Sequence, residues 1–149
     1  MRPERRLVLA LMAAAVVALV PRPVLAGDYV LIRNAANPIA QGTRGEVRDL
    51  FTGATKQWGG AVVQPVIGEA ESGELAWLAT SVFELTVPQL LTKIRQEVFR
   101  GEMKRPVVAR TASECVAAVA RYPGAIGVVD AETARSLPAG VAVLTLRSP

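Results

Sequence analysis

VVQPVIGEAESGELAWLATSVFEL, residues 62–85, is the stretch that decides how this chain folds. VVQPVI is an apolar run of the kind that forms a buried strand, and GEAESGE sets small residues among three glutamates, as a tight turn does. Leu75, Leu78, Ala79 and Val82 then recur at i, i+3, i+4 and i+7, the stripe of an amphipathic helix. A strand that enters a helix through a small-residue turn is a common ligand site, because the first N–H groups of the helix have no internal acceptor. Ser72 and Gly73 stand at that point with a hydroxyl and a bare backbone.

The same alternation extends in both directions. Upstream, YVLIR (29–33) predicts a strand, Asn37-Pro38 and Gln41-Gly42 a loop, and Thr43 with Glu46 a helix cap ahead of Val47, Leu50 and Phe51. Gly53 ends that helix, and Trp58 is expected to plug the core beneath a Gly-rich loop. Downstream, Pro88 opens a helix with Leu90, Leu91, Ile94 and Val98 on one side, and Gly101 stops it. PVVA (106–109) is a strand, and Thr111 with Glu114 caps a helix running to Tyr122. AIGVV (125–129) is a strand with Gly127 inside it, residues 131–136 a short helix, and VAVLTL (141–146) a closing strand. Strands alternating with helices predict one α/β domain over residues 27–149, a mostly parallel sheet flanked by helices.

The first 26 residues read differently. Arg2, Arg5 and Arg6 precede an unbroken apolar run over 7–20, and Val24-Leu25-Ala26 supplies a small-residue cleavage site. This is the layout of a secretory signal peptide cut after Ala26, which predicts a periplasmic protein. The whole chain has 17 Lys+Arg and 13 Asp+Glu, but residues beyond 26 hold 13 and 12, so the basic charge belongs to the signal and gives no reason to expect nucleic acid as a partner. The single Cys115 permits no intramolecular disulfide and is expected to be a buried small hydrophobe. With no histidine anywhere, His-based triads and His-rich zinc sites are excluded. Glu69 and Glu71 lack a supporting partner for acid–base work or for a metal, so no catalytic residue, metal site or cofactor is expected, and the chain is read as a non-enzyme.

Three motifs in order carry a resemblance. RDLFTGATKQW (48–58), VFRG (98–101) followed by Pro106, and YPGAIGVV (122–129) are similar to landmarks of the periplasmic phosphate-binding proteins of ABC importers. The match resembles the small members of that superfamily that correspond to a single lobe of a type II periplasmic-binding-protein-like fold. The resemblance implies a small oxyanion such as phosphate as ligand, and ABC importer membrane subunits or another envelope protein as partner. Because one lobe cannot enclose a ligand alone, it also raises a homodimer. Ser72 and Gly73 match the Ser-Gly pair of the family's binding turn; Glu74 stands where the family has Thr, and the family's Arg would fall near Ile67-Gly68. Candidate ligand residues are therefore Ser72, Gly73, Glu74, Gly124 and Gly127, the last two because a glycine admits close backbone approach.

Charge separates two readings. Residues 57–92 contain no Lys or Arg, against Glu69, Glu71, Glu74 and Glu84. Residues 93–110 carry Lys93, Arg95, Arg100, Lys104, Arg105 and Arg110 against Glu97 and Glu102. If Lys104 or Arg105 neutralises the acidic turn, an exported solute-binding-like protein for an oxyanion follows. If the turn stays acidic, the alternative is an envelope interaction or sensor protein that keeps the fold without binding phosphate.

Overall fold

The computed structural model describes residues 28–148; the expected signal peptide lies outside the described residues. Its organising feature is a set of strands that bury both faces. β1 (Tyr29–Asn34), β5 (Gln64–Gly68) and β7 (Ala125–Asp130) lie inside a six-stranded sheet, between β8 (Val141–Arg147) and β6 (Val107–Ala109), with β2 (Gln41–Thr43) outermost beside β8. Successive side chains point to opposite faces, and each interior strand divides accordingly. Leu31, Ile67, Ile126 and Val128 enter one core, Ile32, Val66, Ala125 and Val129 the other.

Each face is covered by helices. α1 (Arg44–Thr52), α2 (Gly73–Trp77) with its π-helical continuation Leu78–Phe83, and α3 (Val87–Phe99) pack on the first face through Phe51, Leu75, Leu78, Val82, Leu90 and Ile94. α4 (Ala112–Arg121) covers the second through Cys115 and Val119, beside the short α5 (Ala131–Ala134). The expected α/β single-lobe architecture is present. Three of the five pairings within this sheet are parallel (β2–β8, β5–β6 and β5–β7), and β1 runs antiparallel to both neighbours.

The capping signals act as the spacing predicts. Thr43, Ser72 and Thr111 accept bonds from the N–H groups of Glu46, Leu75 and Glu114. Thr86 and Gln89 complete a reciprocal capping box at the start of α3. Two of the capping glutamates do other work. Glu46 pairs with Arg147, and Glu114 accepts the N–H of Arg110. The loop expected around Trp58 is a small hairpin, β3 (Gln57–Trp58) and β4 (Ala61–Val62), turning on Gly59 and Gly60 at positive φ; Trp58 is buried, as expected of a core plug.

The π-helical stretch is the main departure from the helical stripe. Its wider turn brings Phe83 into the core beside Val82, and Arg48 of α1 donates to the Val82 carbonyl. Buried Asn34 closes the other face: its amide donates to the carbonyls of Val119 and Ala120, at 3.0 and 3.1 Å, satisfying the end of α4. Asn34→Ala leaves those acceptors unmet, so urea unfolding should show a loss of about 1–3 kcal/mol.

Candidate functional site

The parallel register decides what meets at the carboxyl ends of the strands. Gly68 of β5 stands opposite Ala109 of β6, so the turns that follow both strands lie side by side. Between them is a cavity of about 130 Å³ lined by Gly68, Ser72, Glu74, Arg110, Thr111 and Cys115 among others. The starts of α2 and α4 border it, capped by Ser72 and Thr111. Each capping hydroxyl accepts a backbone bond through oxygen and keeps its own proton to donate. The N–H groups of the first helical turns, Gly73 and Glu74 on α2 and Ala112 and Ser113 on α4, have no acceptor within their helices. The cavity is smaller than the ~300–1,000 Å³ pockets that take drug-sized ligands, and suits an ion of a few heavy atoms.

The guanidinium at this edge is that of Arg110. Its Nε lies 3.8 Å from Glu69 Oε1, and both side chains are largely exposed. Lys104 and Arg105, the expected neutralising groups, precede β6 and therefore sit at the other end of the sheet. The Arg105 carbonyl accepts from Gln64 Nε2, at the start of β5, and Lys104 lines a separate 240 Å³ cavity with Leu50, Lys56 and Val63. Neither position near Ile67-Gly68 can hold an arginine in this arrangement. Ile67 is buried in the core, and a Cβ on Gly68 would lie 2.2 Å from Ser72 Oγ. The positive charge comes instead from the neighbouring strand, one residue beyond the Gly68–Ala109 pair.

The five candidate residues divide. Ser72 and Glu74 line the cavity; Gly73 is exposed at the turn. A Cβ on Gly73 would fall 2.0 Å from Tyr29 Oη, so its bare backbone accommodates that ring. Gly124 lies at the opposite edge of the sheet, where its carbonyl accepts from Gln64 N, and a Cβ there would reach Val62 O at 2.0 Å. Gly127 lies under α4, where a Cβ would be 2.8 Å from Cys115 Sγ and 3.2 Å from Val119. Backbone crossing and helix–sheet packing, rather than a cavity, occupy the space at these two glycines.

Tyr29 is the residue that sequence reasoning missed. Antiparallel pairing with Asp130 brings it to this edge, and its ring contacts Trp77 at 6.4 Å between centroids. Burial, with Glu74, Asp130 and Asp28 nearby, raises its pKa, so the hydroxyl stays protonated. Asp130 caps α5 and is held below the usual carboxylate range mainly by the Thr133 hydroxyl. Cys115, bonded to the Val128 carbonyl, is pushed up to about 11 by burial. Glu69, Glu71, Glu74 and Asp130 thus share this edge of the sheet with Arg110. Among the described residues no group of three or more His, Cys, Asp or Glu is placed to hold a metal ion.

No protein-family model matches the chain, and no curated protein matches it in sequence. Solved structures do. PstS from Borrelia burgdorferi matches with a TM-score of 0.58 at 18% identity, over 81% of this chain and 47% of that one. An ABC-type phosphate transport receptor from Vibrio cholerae matches at 0.57 and 16%, over 80% and 46%. A Clostridium perfringens protein described as a phosphate ABC transporter substrate-binding protein, with phosphate bound, matches at 0.58 and 16%, over 80% and 44%. The chain spans less than half the length of each. What is shared at these identities is the fold: a single lobe of the type II periplasmic-binding-protein-like class.

Two measurements test this layout. Gly127→Ala should cost about 1–3 kcal/mol of stability by overpacking, and adding Cys115→Ala should recover part of that loss. The folded state holds the Cys115 proton to about 11, against 9.0 for an ordinary thiol. Its contribution is therefore complete below the ordinary value and lost as pH rises through the folded one. The difference in unfolding free energy between the native chain and Cys115→Ala should shrink over that interval and stay level below it.

Proposed function

We propose that this chain is an exported solute-binding-like protein that takes a small oxyanion, phosphate being the first candidate, in the cavity between the starts of α2 and α4. The observation that carries this reading is the convergence of Ser72, Thr111 and Arg110 on one ion-sized cavity. The likeness to phosphate transport receptors supports it. Ser72 and Thr111 donate hydroxyl protons, the first-turn N–H groups of both helices supply partial positive charge, and Arg110 supplies the full charge. Glu69 holds Arg110 until the anion replaces it. Gly73 is retained in the site as the backbone next to Ser72. Binding, not catalysis, is the proposed role, in the periplasm, with importer membrane subunits as the proposed partner. No helix of the described residues is long and apolar enough to cross a membrane.

The acidic edge sets the strength. A carboxylate about 6 Å from a bound anion costs ~3 kcal/mol at an effective dielectric of 20. A charge-assisted bond from Arg110 contributes ~1.5–3 kcal/mol, and each helix start about 0.3–1. One nearby carboxylate is offset; several are not. The same carboxylates favour a second reading, an envelope interaction or sensor protein whose acidic edge docks a basic partner.

Calorimetric titration of the purified chain at low ionic strength, with phosphate and with sulfate, separates the two. The oxyanion reading expects saturable phosphate binding, weakened about 10–100-fold by Arg110→Ala, the loss of one charge-assisted bond. Glu69→Gln should tighten binding, because Arg110 is then unpaired. Flat traces for both anions with both variants would transfer the assignment to the interaction protein.

A further inference from the structure

The last strand of the sheet is open on its outer side. Among the described residues β6 pairs only with β5, and Val108 at its centre is exposed. Sheet edges of this kind accept an added strand unless they are covered or charged. Between α3 and the segment that leads into β6 lies an open groove of about 550 Å³ lined by Ile94, Arg95, Val98, Phe99, Arg105 and Pro106. Phe99 is 93% exposed, the most exposed of the large hydrophobic residues. An aromatic ring held in water beside an apolar groove is a feature of contact surfaces.

The charged side chains that line the groove have one sign. Arg100 is paired with Glu97, Lys56 with Glu102 and Arg110 with Glu69. The side chains of Arg95 and Arg105 have no ion pair or hydrogen bond among the described residues, and both line the groove. Two unpaired guanidinium groups in an apolar groove complement a segment that turns both carboxylates and apolar side chains toward it. In an extended segment every second side chain points the same way, so a carboxylate and an apolar group two residues apart face the groove together. Its backbone bonds to the free edge of β6, as in recognition by strand addition.

We propose that the groove between α3 and the segment leading into β6 docks an extended, acidic and apolar segment of a partner protein, with Phe99 as the apolar anchor and Arg95 and Arg105 as its charge readers. This surface is separate from the oxyanion cavity and does not depend on it. A peptide, rather than an anionic membrane, is the occupant because a bilayer surface has no use for a free strand edge.

The test is fluorescence anisotropy of the purified full chain with a short labelled peptide of repeated Glu-Glu-Val-Val, which puts both residue types on each face of an extended segment. Its controls are the lysine-for-glutamate counterpart, a version N-methylated on alternate backbone nitrogens, and vesicles of phosphatidylglycerol. Saturable binding of the acidic peptide is expected, at least about tenfold weaker for the lysine and N-methylated forms. Arg95→Glu with Arg105→Glu should weaken it by a similar factor, and Phe99→Ser by several-fold, with unfolding midpoints unchanged because all three residues are exposed. Absence of saturable peptide binding, equal binding of the lysine peptide, or binding to the vesicles alone would overturn the proposal.

Discussion

Two-sided burial of the interior strands is the constraint from which the rest of this structure follows. β5 carries Val66 into one core and Ile67 into the other, and β1 and β7 divide their residues in the same way. A sheet apolar on both faces must be covered on both, so helices lie above and below it. Each parallel strand then returns to the start of the next through a helix, which must begin near the end where the strand leaves off. α2 follows β5, α4 follows β6 and α5 follows β7, so three helix starts collect along one edge. The candidate cavity is a consequence of that geometry.

The chemistry of the edge is set by small residues and charge. Gly68 allows Ser72 to fold back over the end of β5, and Gly73 makes room for Tyr29. The turn is therefore tightly packed, and of its three glutamates Glu69 and Glu71 are exposed while Glu74 lines the cavity. Arg110 is the counterweight, supplied by a different strand. A phosphate dianion would meet two helix starts and one guanidinium, with carboxylates around them. The balance between those terms, each of a few kcal/mol, separates a solute-binding lobe from an interaction protein on the same fold. The basic groove at the β6 edge lies beyond this balance, because its arginines are not used by the acidic turn.

Much of the architecture was legible along the chain. Thr43, Ser72 and Thr111 each cap a helix where their spacing places them, and Gly53 and Gly101 take the positive φ that ends or follows a helix. These are local effects, settled within a few residues. The π-helical turn was not legible, because Leu75, Leu78, Ala79 and Val82 fit an ordinary helix; only packing of Phe83 and the Arg48 bond to Val82 favours the wider turn. Gly124 and Gly127 carried the same ambiguity, since a glycine kept for backbone crossing or helix packing looks in sequence like one kept for a ligand.

The sequence by itself determined an α/β chain with two-faced strands, capped helices, a buried lone thiol and a strand–turn–helix unit around Ser72, because periodicity and capping act over short distances. Tertiary structure alone decided that β1 inserts antiparallel between β7 and β8, which brings Tyr29 to Gly73. It also decided that Arg110, not Lys104 or Arg105, faces the acidic turn. Both depend on strand order and register, and register is fixed by pairing between segments far apart in the chain, where a shift of a few residues carries a different side chain to the edge.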